Sequence, residues 1–450
     1  MEEDIKEEMD TINEENMETG ELEVKPEKKP KVYLPGRPLK KDEQLVHDPS
    51  AYIMLHEAQT GAPCLTFDVV PDGDGNNRTE FPLTTYLVAG TQAESRNGNS
   101  IIVMRVSNML KTYKEESESE SSDESESSSS SSSSEELSLS KLPKMDTALI
   151  RHQGTVNRIR STVANGRVLA AVWSELGRVT VVDLKTQLLA VTDSVSVPVK
   201  KKKKKKGVGE PMVPLQVFTG HADEGYGLDW SPVSKGVLAS GDCRSNIFVW
   251  LPREDGWDID ETPLIGHKDS VEDLQWSPNE QNVLASCSVD RTIRIWDTRE
   301  QGAAACKLTV KNAHKSDINV ISWNRREPLI VSGGDDGFLN IWDLRNFKSN
   351  NAVAILKHHS QSITSVEWSP HESSVFASSG EDDQIALWDL AVERDDNAEI
   401  DPHLKDLPPQ LLFIHQGQND IKELHWHAQI PGLVISTANS GFNFFKTISV

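Results

Sequence analysis

Histidine, serine and aspartate side chains recur together at fixed spacing in the second half of the chain, and this combination can support nucleophilic catalysis. Each set ends in a tryptophan. The three sets are His267, Ser286, Asp290 and Trp296; His314, Ser332, Asp336 and Trp342; and His359, Ser378, Asp382 and Trp388. Catalysis needs one such set beside an oxyanion hole and a substrate pocket. Three equivalent copies therefore favour a structural role, in which aspartate orients the imidazole, the imidazole bonds the serine, and the serine bonds a buried indole N–H.

Two further copies depart from this pattern. In the copy that ends at Trp250, Arg244 takes the place of the aspartate, and in the last copy Ser440 and Lys446 replace the aspartate and the tryptophan. We expect these two copies to be held less tightly. The sequence contains no phosphate-binding G-x-x-x-x-G-K-S/T loop and no zinc-binding H-E-x-x-H helix. We therefore expect a protein that is not an enzyme, with no catalytic residues, metal or cofactor.

The spacing of the copies predicts the elements that carry them. Their terminal tryptophans, at positions 250, 296, 342 and 388, lie 46 residues apart. Four histidines, at positions 221, 267, 314 and 359, each precede a further tryptophan by nine residues. This period matches one four-stranded blade of a β-propeller. Short β-branched or aromatic runs between Asp-Gly, Ser-Pro and Gly-Gly turns indicate the strands.

We predict an all-β fold, a seven-bladed propeller, because single blades cannot bury their faces and must close into a ring. Weaker copies occupy residues 65–107, 152–183 and 415–448. The last one lacks a fourth strand, which residues 52–56 can supply. The predicted domains are an acidic tail at 1–31, a helix and closing strand at 32–56, and the propeller at 57–450, with loops at 115–141, 198–211 and 391–409.

The composition of the 450 residues excludes several classes of protein. Charged residues make up 26% of the chain, and no apolar run approaches the roughly 18 residues of a membrane helix. The first thirty residues do not form a secretory signal, because no basic start precedes an apolar core. Cys64, Cys243, Cys287 and Cys306 form no C-x-x-C pair, so neither a disulfide framework nor a zinc site is indicated. We expect a reducing compartment and no membrane partner.

Most of the net charge of −23 lies in two segments. Residues 1–30 contain twelve acidic residues against four lysines, and residues 115–136 consist of Ser, Asp and Glu alone. Both lack the apolar residues that would offset the entropy of ordering, so we expect them to be disordered. The acidic residues of the second segment are Glu115, Glu116, Glu118, Glu120, Asp123, Glu124, Glu126, Glu135 and Glu136. Such a segment either solubilises the protein or binds a polycation.

Phosphorylation would deepen this charge. Ser117, Ser121, Ser132 and Ser133 each have an acidic residue three positions later, as in substrates of casein kinase two. Each phosphate adds about −1.5 to −2 near neutral pH. Seven consecutive lysines at residues 200–206 carry the opposite charge. They are either a nuclear-import signal or a nucleic-acid contact. We favour import and do not expect direct nucleic-acid binding, because a nucleic-acid reader carries a basic folded face and this chain is acidic.

The Gly-His, Ser-Pro and Trp-Asp marks resemble those of WD-repeat propellers, and the flanking segments are similar to the glutamate-rich WD-repeat proteins. The most specific segments are YLPG at residues 33–36, the segment at residues 45–70, YLVAGTQA at residues 86–93, and the Ser/Glu segment. The resemblance implies a seven-bladed WD-repeat β-propeller that acts in the nucleus and nucleolus as a chaperone in large ribosomal subunit assembly. It implies a basic client, a newly made large-subunit ribosomal protein, and histones as further partners.

A broader resemblance is to the histone-binding propellers of chromatin assembly factors, where an N-terminal helix and a Pro-Pro loop hold a basic histone helix. Residues 38–46 are the counterpart of that helix, and residues 391–409 that of the loop. The client-binding residues that this implies are Leu45, Val46, Asp395, Asp396, Asp401, Asp406, Leu407, Pro408 and Pro409. The alternative is an ordinary polar loop between blades.

Two functions from different classes follow. The first is a nuclear chaperone whose acidic segments compete with RNA for a basic client. The second is a substrate receptor or scaffold of a cullin-RING ubiquitin ligase, because IRIWDTR at 293–299 and LNIWDLR at 339–345 resemble the WDxR boxes of such receptors. In that case Arg299 and Arg345 would contact the ligase adaptor.

Overall fold

The computed structural model describes residues 46–112, 142–193, 213–394 and 407–450, and these contain seven antiparallel sheets of four strands each. The innermost strands of successive sheets contact one another, and the last contacts the first. The sheets are therefore the blades of a closed propeller. The prediction of an all-β, seven-bladed propeller is confirmed. One α-helix, α1 (Lys185–Asp193), was not anticipated.

The strands follow chain order from β1 (Tyr52–Ala58), which belongs to the last blade. Blade 1 contains β2 (Cys64–Val70), β3 (Leu83–Thr91), β4 (Ser100–Met109) and β5 (Lys144–Arg151). Blade 2 contains β6 (Val156–Ala164), β7 (Arg167–Ser174), β8 (Arg178–Asp183) and β9 (Gln216–Phe218). Blade 3 contains β10 (Gly227–Trp230), β11 (Leu238–Gly241), β12 (Ile247–Arg253) and β13 (Gly256–Ile259).

The remaining blades are assembled in the same way. Blade 4 contains β14 (Val271–Trp276), β15 (Val283–Ser288), β16 (Thr292–Asp297) and β17 (Cys306–Lys311). Blade 5 contains β18 (Ile318–Trp323), β19 (Leu329–Gly334), β20 (Phe338–Asp343) and β21 (Ala354–Lys357). Blade 6 contains β22 (Ile363–Trp368), β23 (Val375–Gly380), β24 (Gln384–Asp389) and β25 (Leu411–Gln416). Blade 7 contains β26 (Ile421–Trp426), β27 (Val434–Ala438), β28 (Gly441–Thr447) and β1.

Blade 7 combines the two ends of the propeller. Strand β1 pairs antiparallel with β28, with Leu55 opposite Phe445 and His56 opposite Phe444. The N-terminal strand thus supplies the outer strand that the C-terminal repeat lacks. Its side chains Tyr52 and Met54 are buried, so the closure is packed as well as hydrogen-bonded.

The apolar core is divided into seven clusters, one at each boundary between neighbouring blades. Phe67 of blade 1, for example, packs against Phe442 and Phe444 of blade 7. Burial of apolar area is the main favourable term in folding, and here it is gained only when two blades meet. A single blade therefore has no complete core of its own.

Polar side chains of the inner strands also cross the blade boundaries. Asp229 Oδ2 accepts the backbone N–H of Trp276 at 2.7 Å, and Asp273 Oδ2 accepts that of Ile321 at 3.1 Å. Burial raises the pKa of Asp229 to about 7, which the hydrogen bond from Trp276 only partly opposes. The indoles of Trp276 and Trp368 donate to backbone carbonyls of the preceding blade. These tryptophans are among the repeated markers of the sequence.

A charged network joins blades 7, 1 and 2. Glu423 Oε1 accepts from Arg158 Nη1 at 2.8 Å and from Arg160 Nη2 at 2.7 Å, while Oε2 accepts from Thr66 Oγ1 and from the N–H of Phe67, both at 2.8 Å. Burial disfavours the ionised carboxylate, but Arg160, His425 and Arg158 together outweigh it and hold the pKa of Glu423 well below its usual value. This single buried side chain connects three blades.

All four cysteines are free. Cys64 and Cys287 are buried in strands, whereas Cys243 lies in a hairpin turn. Among the described residues, no helix is both long enough and apolar enough to span a membrane.

Candidate functional site

Blades 3 to 6 each contain a hydrogen-bonded tetrad of histidine, serine, aspartate and tryptophan. In blade 4, His267 Nε2 lies 2.6 Å from Ser286 Oγ, and His267 Nδ1 lies 3.0 Å from Asp290 Oδ2. Trp296 donates its indole N–H to Ser286 Oγ at 2.8 Å. The same contacts join His314, Ser332, Asp336 and Trp342 in blade 5, and His359, Ser378, Asp382 and Trp388 in blade 6.

The environment of these tetrads does not suit nucleophilic attack. Ser286, Ser332 and Ser378 are 0% exposed, so a substrate has no access to their hydroxyl groups. Burial lowers the pKa of His267 despite its hydrogen bond to Asp290, which keeps the imidazole neutral. The tetrad instead ties the loop before the inner strand, the hairpin turn and the third strand into one buried hydrogen-bond network.

The tetrad of blade 3 corrects the expectation that Arg244 replaces its aspartate. Asp242 takes this role: His221 Nδ1 lies 3.0 Å from Asp242 Oδ2, and His221 Nε2 lies 2.7 Å from Ser240 Oγ. Trp250 donates to Ser240 Oγ at 3.0 Å. The serine and the tryptophan are ten residues apart in this blade, as in blades 4 to 6, but its aspartate follows the serine by two positions instead of four. Blade 3 is therefore tied by a complete tetrad.

Blade 7 has no such tetrad. Gln418 takes the place of the histidine, accepting from Ser436 Oγ and donating to the carbonyl of Gly441. Lys446 is buried, and desolvation lowers its pKa. His415, which the sequence grouped with this blade, lies in β25 of blade 6, where its Nδ1 is 2.8 Å from Tyr52 Oη of β1.

One end of the propeller carries an excess of acidic side chains. We call it the upper face and define it by the loops that precede the inner strands and by the turns between second and third strands. Besides the tetrad aspartates, this face presents the carboxylates Asp223, Glu224, Asp269, Asp317, Asp335, Glu381, Asp383 and Asp420. Its cations are fewer: Arg244, Lys268, Arg291 and Lys315. The sequence analysis missed this face, although Asp223 and Asp269 each follow a repeated histidine by two residues.

Several of these carboxylates repel one another. Partial burial, followed by the charges of Asp335 and Asp269, raises the pKa of Asp317. Burial, with the charges of Asp317 and Asp273, also raises the pKa of Glu272 at the start of inner strand β14. A raised pKa from like-charged neighbours means that negative charge is incompletely neutralised. A cationic ligand would relieve this repulsion.

The predicted Pro-Pro loop is anchored at its base. Arg394 Nη2 donates to the carbonyl of Leu407 at 2.9 Å, and Gln410 Nε2 donates to that of Val392 at 3.1 Å. Leu407, Pro408 and Pro409 are partly buried. The chain segments before and after the loop are therefore hydrogen-bonded to each other.

The strand that follows this loop lies beside the start of β1. The rings of Tyr52 and Phe413 are 5.3 Å apart and in edge contact, and Tyr52 also contacts His415. Tyr52 and Phe413 follow the predicted helix and the predicted loop, respectively, in the sequence. Val46 itself is 81% exposed.

The two WDxR arginines lie on the opposite, lower face. Arg299 and Arg345 are 73% and 72% exposed at the side chain. Each folds back on the aspartate of its own Trp-Asp pair: Arg299 Nη2 lies 2.7 Å from Asp297 Oδ2, and Arg345 Nη2 lies 2.6 Å from Asp343 Oδ2. The guanidinium groups are thus oriented but accessible.

Comparison with known protein families gives two matches. A family described as "WD domain, G-beta repeat" matches residues 261–297, 305–343 and 350–389, which cover most of blades 4, 5 and 6. A second, which groups the histone-binding protein RBBP4 with its counterpart in the CAF1 complex, matches residues 42–110.

Three proteins are similar over almost the whole chain. Ribosome assembly protein rrb1 of Schizosaccharomyces pombe is 41% identical, over 96% of this chain and 87% of its own. Glutamate-rich WD repeat-containing protein 1 of Dictyostelium discoideum is 42% identical, over 91% and 83%. Protein HEAT STRESS TOLERANT DWD 1 of Arabidopsis thaliana is 42% identical, over 93% and 92%.

The chain belongs to the glutamate-rich WD-repeat protein family. The second family match spans β1 to β4 of this glutamate-rich WD-repeat protein, so it includes the closing strand and most of blade 1. It also includes Leu45 and Val46, at the N-terminal side of the predicted client site.

Several predicted site residues lie outside the described part of the chain. They are Leu45, Asp395, Asp396, Asp401 and Asp406 of the client site, the acidic residues between 115 and 136, Ser117, Ser121, Ser132 and Ser133, and the lysines at 200–206. Their roles stay predictions.

Proposed function

We propose that this glutamate-rich WD-repeat protein is a chaperone of ribosome assembly that acts in the nucleus and nucleolus without catalysing a reaction. Its client is a basic, newly made large-subunit ribosomal protein, and it also binds histones. The name of the fission yeast relative supports a role in ribosome assembly, and the family match at residues 42–110 supports histone binding. Four buried tetrads without an accessible nucleophile support the non-enzymatic role.

The observation that carries the proposal is the set of mutually repelling carboxylates on the upper face. Asp269, Asp317 and Asp335 come from two neighbouring blades, and burial together with like-charged neighbours raises the pKa values of Asp317 and Glu272. An unneutralised acidic face attracts a cationic protein and suits side chains of Lys or Arg. A free basic client otherwise binds RNA unselectively, with strong dependence on salt.

Two further elements belong to the proposed client site. Residues 38–46 with Leu45 and Val46 would provide an apolar wall, and the loop with Asp395, Asp396, Asp401 and Asp406 would face it with carboxylates. This pairing suits an amphipathic basic helix, because burial and charge-assisted hydrogen bonds act together. The acidic segment at 115–136 would add a long-range field, which phosphorylation of its serines would strengthen.

The test compares three charge-changed proteins in binding to a purified core histone and to a basic large-subunit ribosomal protein. The first carries Asp269→Asn, Asp317→Asn and Asp335→Asn, the second lacks residues 115–136, and the third carries the control changes Glu280→Gln, Glu300→Gln and Glu372→Gln on the lower face. We expect weaker binding and a shallower salt dependence for the first two only. An unchanged affinity and salt slope for both would contradict the proposal.

Nuclear entry is assigned in this proposal to the lysines at 200–206. Replacing them with serine should shift a fluorescently tagged protein to the cytoplasm while leaving its affinity for the client unchanged. Retention in the nucleus would reject this assignment.

A second candidate function is that of a cullin-ligase substrate receptor. It is favoured by the exposed, oriented side chains of Arg299 and Arg345 in adjacent blades and by the letters DWD in the name of the Arabidopsis relative. Co-purification with a cullin adaptor should then be lost in the variant Arg299→Ala, Arg345→Ala. The matched control is Arg253→Ala, which removes another exposed arginine that pairs with an aspartate. No co-purification with the unchanged protein would exclude this function.

A further inference from the structure

A cleft of about 760 Å³ opens at the boundary of blades 4 and 5. Its walls include the ring of Phe338, the side chains of Ala313, Ala352 and Ile355, and the edge of Trp342. The blade 5 tetrad fixes this geometry, because Asp336 accepts the backbone N–H of both Lys315 and Phe338, at 2.9 and 3.1 Å. The cleft is therefore formed before a ligand arrives.

The base of the cleft contains an unused hydrogen-bond acceptor. Asn340 is 6% exposed, and its Nδ2 donates to the carbonyl of Ala313 at 2.8 Å. Its Oδ1 has no hydrogen-bond partner within the described part of the chain. A buried acceptor without a partner is costly, so a ligand that supplies an N–H or O–H here gains affinity.

The rim of the cleft is positively charged, in contrast to the chain as a whole. Lys315 Nζ and Lys357 Nζ lie 5.5 and 5.7 Å from the centroid of the Phe338 ring. Arg291 lines the same cleft. None of the three makes a salt bridge with another described residue, so they are available to carboxylates of a partner.

The outer strand beside the cleft is also unusually apolar. Ile355 in β21 is 63% exposed and Val353 just before it is 56% exposed. Strand β21 is the outermost strand of its sheet, so its outer edge is free among the described strands. An extended peptide can add to such an edge through backbone hydrogen bonds.

The neighbouring blades do not repeat this arrangement. In blade 4 the position of Asn340 is occupied by Arg294, whose Nε donates to Thr292 Oγ1 at 3.2 Å and whose Nη1 lies 3.4 Å from Cys306 Sγ. In blade 6 it is occupied by Ala386, which has no polar side-chain atom. The unmet acceptor is thus particular to blade 5 among these three tetrad-containing blades.

We propose that this cleft binds an acidic segment of a partner protein, anchored by a tyrosine. The tyrosine ring packs against Phe338 and Ile355, and its hydroxyl donates to Asn340 Oδ1. Neighbouring carboxylates of the partner contact Lys315, Lys357 and Arg291. Tyrosine combines a large apolar surface with one polar group, which matches this mixture of walls and base. The site is independent of the upper-face carboxylates, because it selects the opposite charge.

The surroundings favour a peptide over single-stranded nucleic acid. Asp317 and Asp335 are close in sequence to the cleft and would repel a continuous phosphate backbone, whereas a peptide can place its few carboxylates on the lysines alone. The exposed apolar edge of β21 also matches an extended polypeptide and offers nothing to a phosphate.

The test uses the full-length protein and a fluorescent ten-residue peptide with a central tyrosine, flanking valines and outer glutamates. A second peptide has phenylalanine in place of the tyrosine. Fluorescence anisotropy gives the dissociation constants for the unchanged protein, for Asn340→Ala, for Lys315→Glu with Lys357→Glu, and for the control Lys235→Glu, an exposed lysine on the lower face.

We expect loss of the tyrosine hydroxyl to weaken binding about three- to tenfold in the unchanged protein, and to have no effect in Asn340→Ala. The double lysine variant should bind at least about tenfold more weakly, and Lys235→Glu as the unchanged protein. Equal binding of both peptides to the unchanged protein, or no effect of the double lysine change, would overturn the proposal. The proposal would also be overturned if a ten-nucleotide single-stranded RNA displaced the peptide and if RNA binding were lost in the double lysine variant. Lys315 and Lys357 are exposed, so the double lysine variant should fold. Its affinity for the peptide therefore tests the proposal even if Asn340→Ala does not fold.

Discussion

Blades 3 to 6 and the seam formed by blades 7, 1 and 2 are held together in different ways. In blades 3 to 6 a tetrad ties each blade internally, between residues that lie within 30 positions of one another, such as His267 and Trp296. At the seam Glu423 binds Thr66, Arg158 and Arg160, which are hundreds of positions away. The repeated part thus uses local hydrogen bonds, and the seam uses a long-range buried charge.

This difference has a physical consequence. A buried ion network depends on the ionisation of every one of its members. The seam also depends on β1, since Tyr52 and Met54 are buried against the last blade. We therefore expect closure of the ring by β1 to stabilise the interfaces between the other blades.

Among the changes that test this comparison, removal of β1 should cause the largest loss of stability. A protein lacking residues 1–58 loses the buried side chains Tyr52 and Met54, and burial of this kind is worth more than about 5 kcal/mol for two large residues. We expect it to be unfolded or to melt far below the unchanged protein, as measured by circular dichroism. A protein lacking only residues 1–45 is the control and should keep its melting temperature. Equal melting of both proteins would show that β1 does not close the ring.

The substitution Glu423→Gln should have the next largest effect. It leaves Arg158 and Arg160 with an uncharged partner in a buried site, which costs about 3–5 kcal/mol of unfolding free energy. Urea denaturation measures this loss. The control Glu280→Gln changes an exposed carboxylate and should lie within about 0.5 kcal/mol of the unchanged protein. A loss at Glu423 no larger than that of the control would contradict the seam network.

Blade 3 offers a sharper test of the tetrads. Asp242→Ala leaves the His221 imidazole and nearby backbone N–H groups without their acceptor, which costs about 1–3 kcal/mol. Arg244→Ala removes only an exposed pair with Asp223 and should change stability by less than about 0.5 kcal/mol. The same denaturation experiment distinguishes them. A larger loss of stability for Arg244→Ala than for Asp242→Ala would show that Arg244, as the repeat spacing predicted, occupies the aspartate position of the tetrad.

The last comparison is a dependence of stability on pH at the seam. Burial disfavours a charged His425, but the Glu367 and Glu423 carboxylates together outweigh it and raise the pKa of His425 to about 10, from 6.5 in the unfolded chain. This stabilisation is complete below pH 6.5 and is lost as the pH rises toward 10. The stability difference between the unchanged protein and His425→Gln should therefore shrink between these limits. A constant difference would show that His425 is not charged in the folded state.

The regular spacing of tryptophans was sufficient to predict the four central blades, the strand order within them and the members of three tetrads. It failed at Asp242, because the aspartate that bonds the histidine follows the serine by two positions in blade 3 and by four in blades 4 to 6, within hairpins of the same residue spacing. The partners of Glu423 could not be predicted, because no local pattern relates residue 423 to residue 158. The upper-face carboxylates were missed for a related reason: they come from separate loops that only the ring brings together.

The most direct test of the proposed function is the affinity of the purified protein for a basic large-subunit ribosomal protein at two salt concentrations. We predict measurable binding at about 50 mM salt and a marked loss of affinity at about 200 mM, because screening weakens attraction between exposed opposite charges. The loss should be smaller for the variant with Asp269→Asn, Asp317→Asn and Asp335→Asn. No binding to the cationic protein at the lower salt concentration would contradict the account.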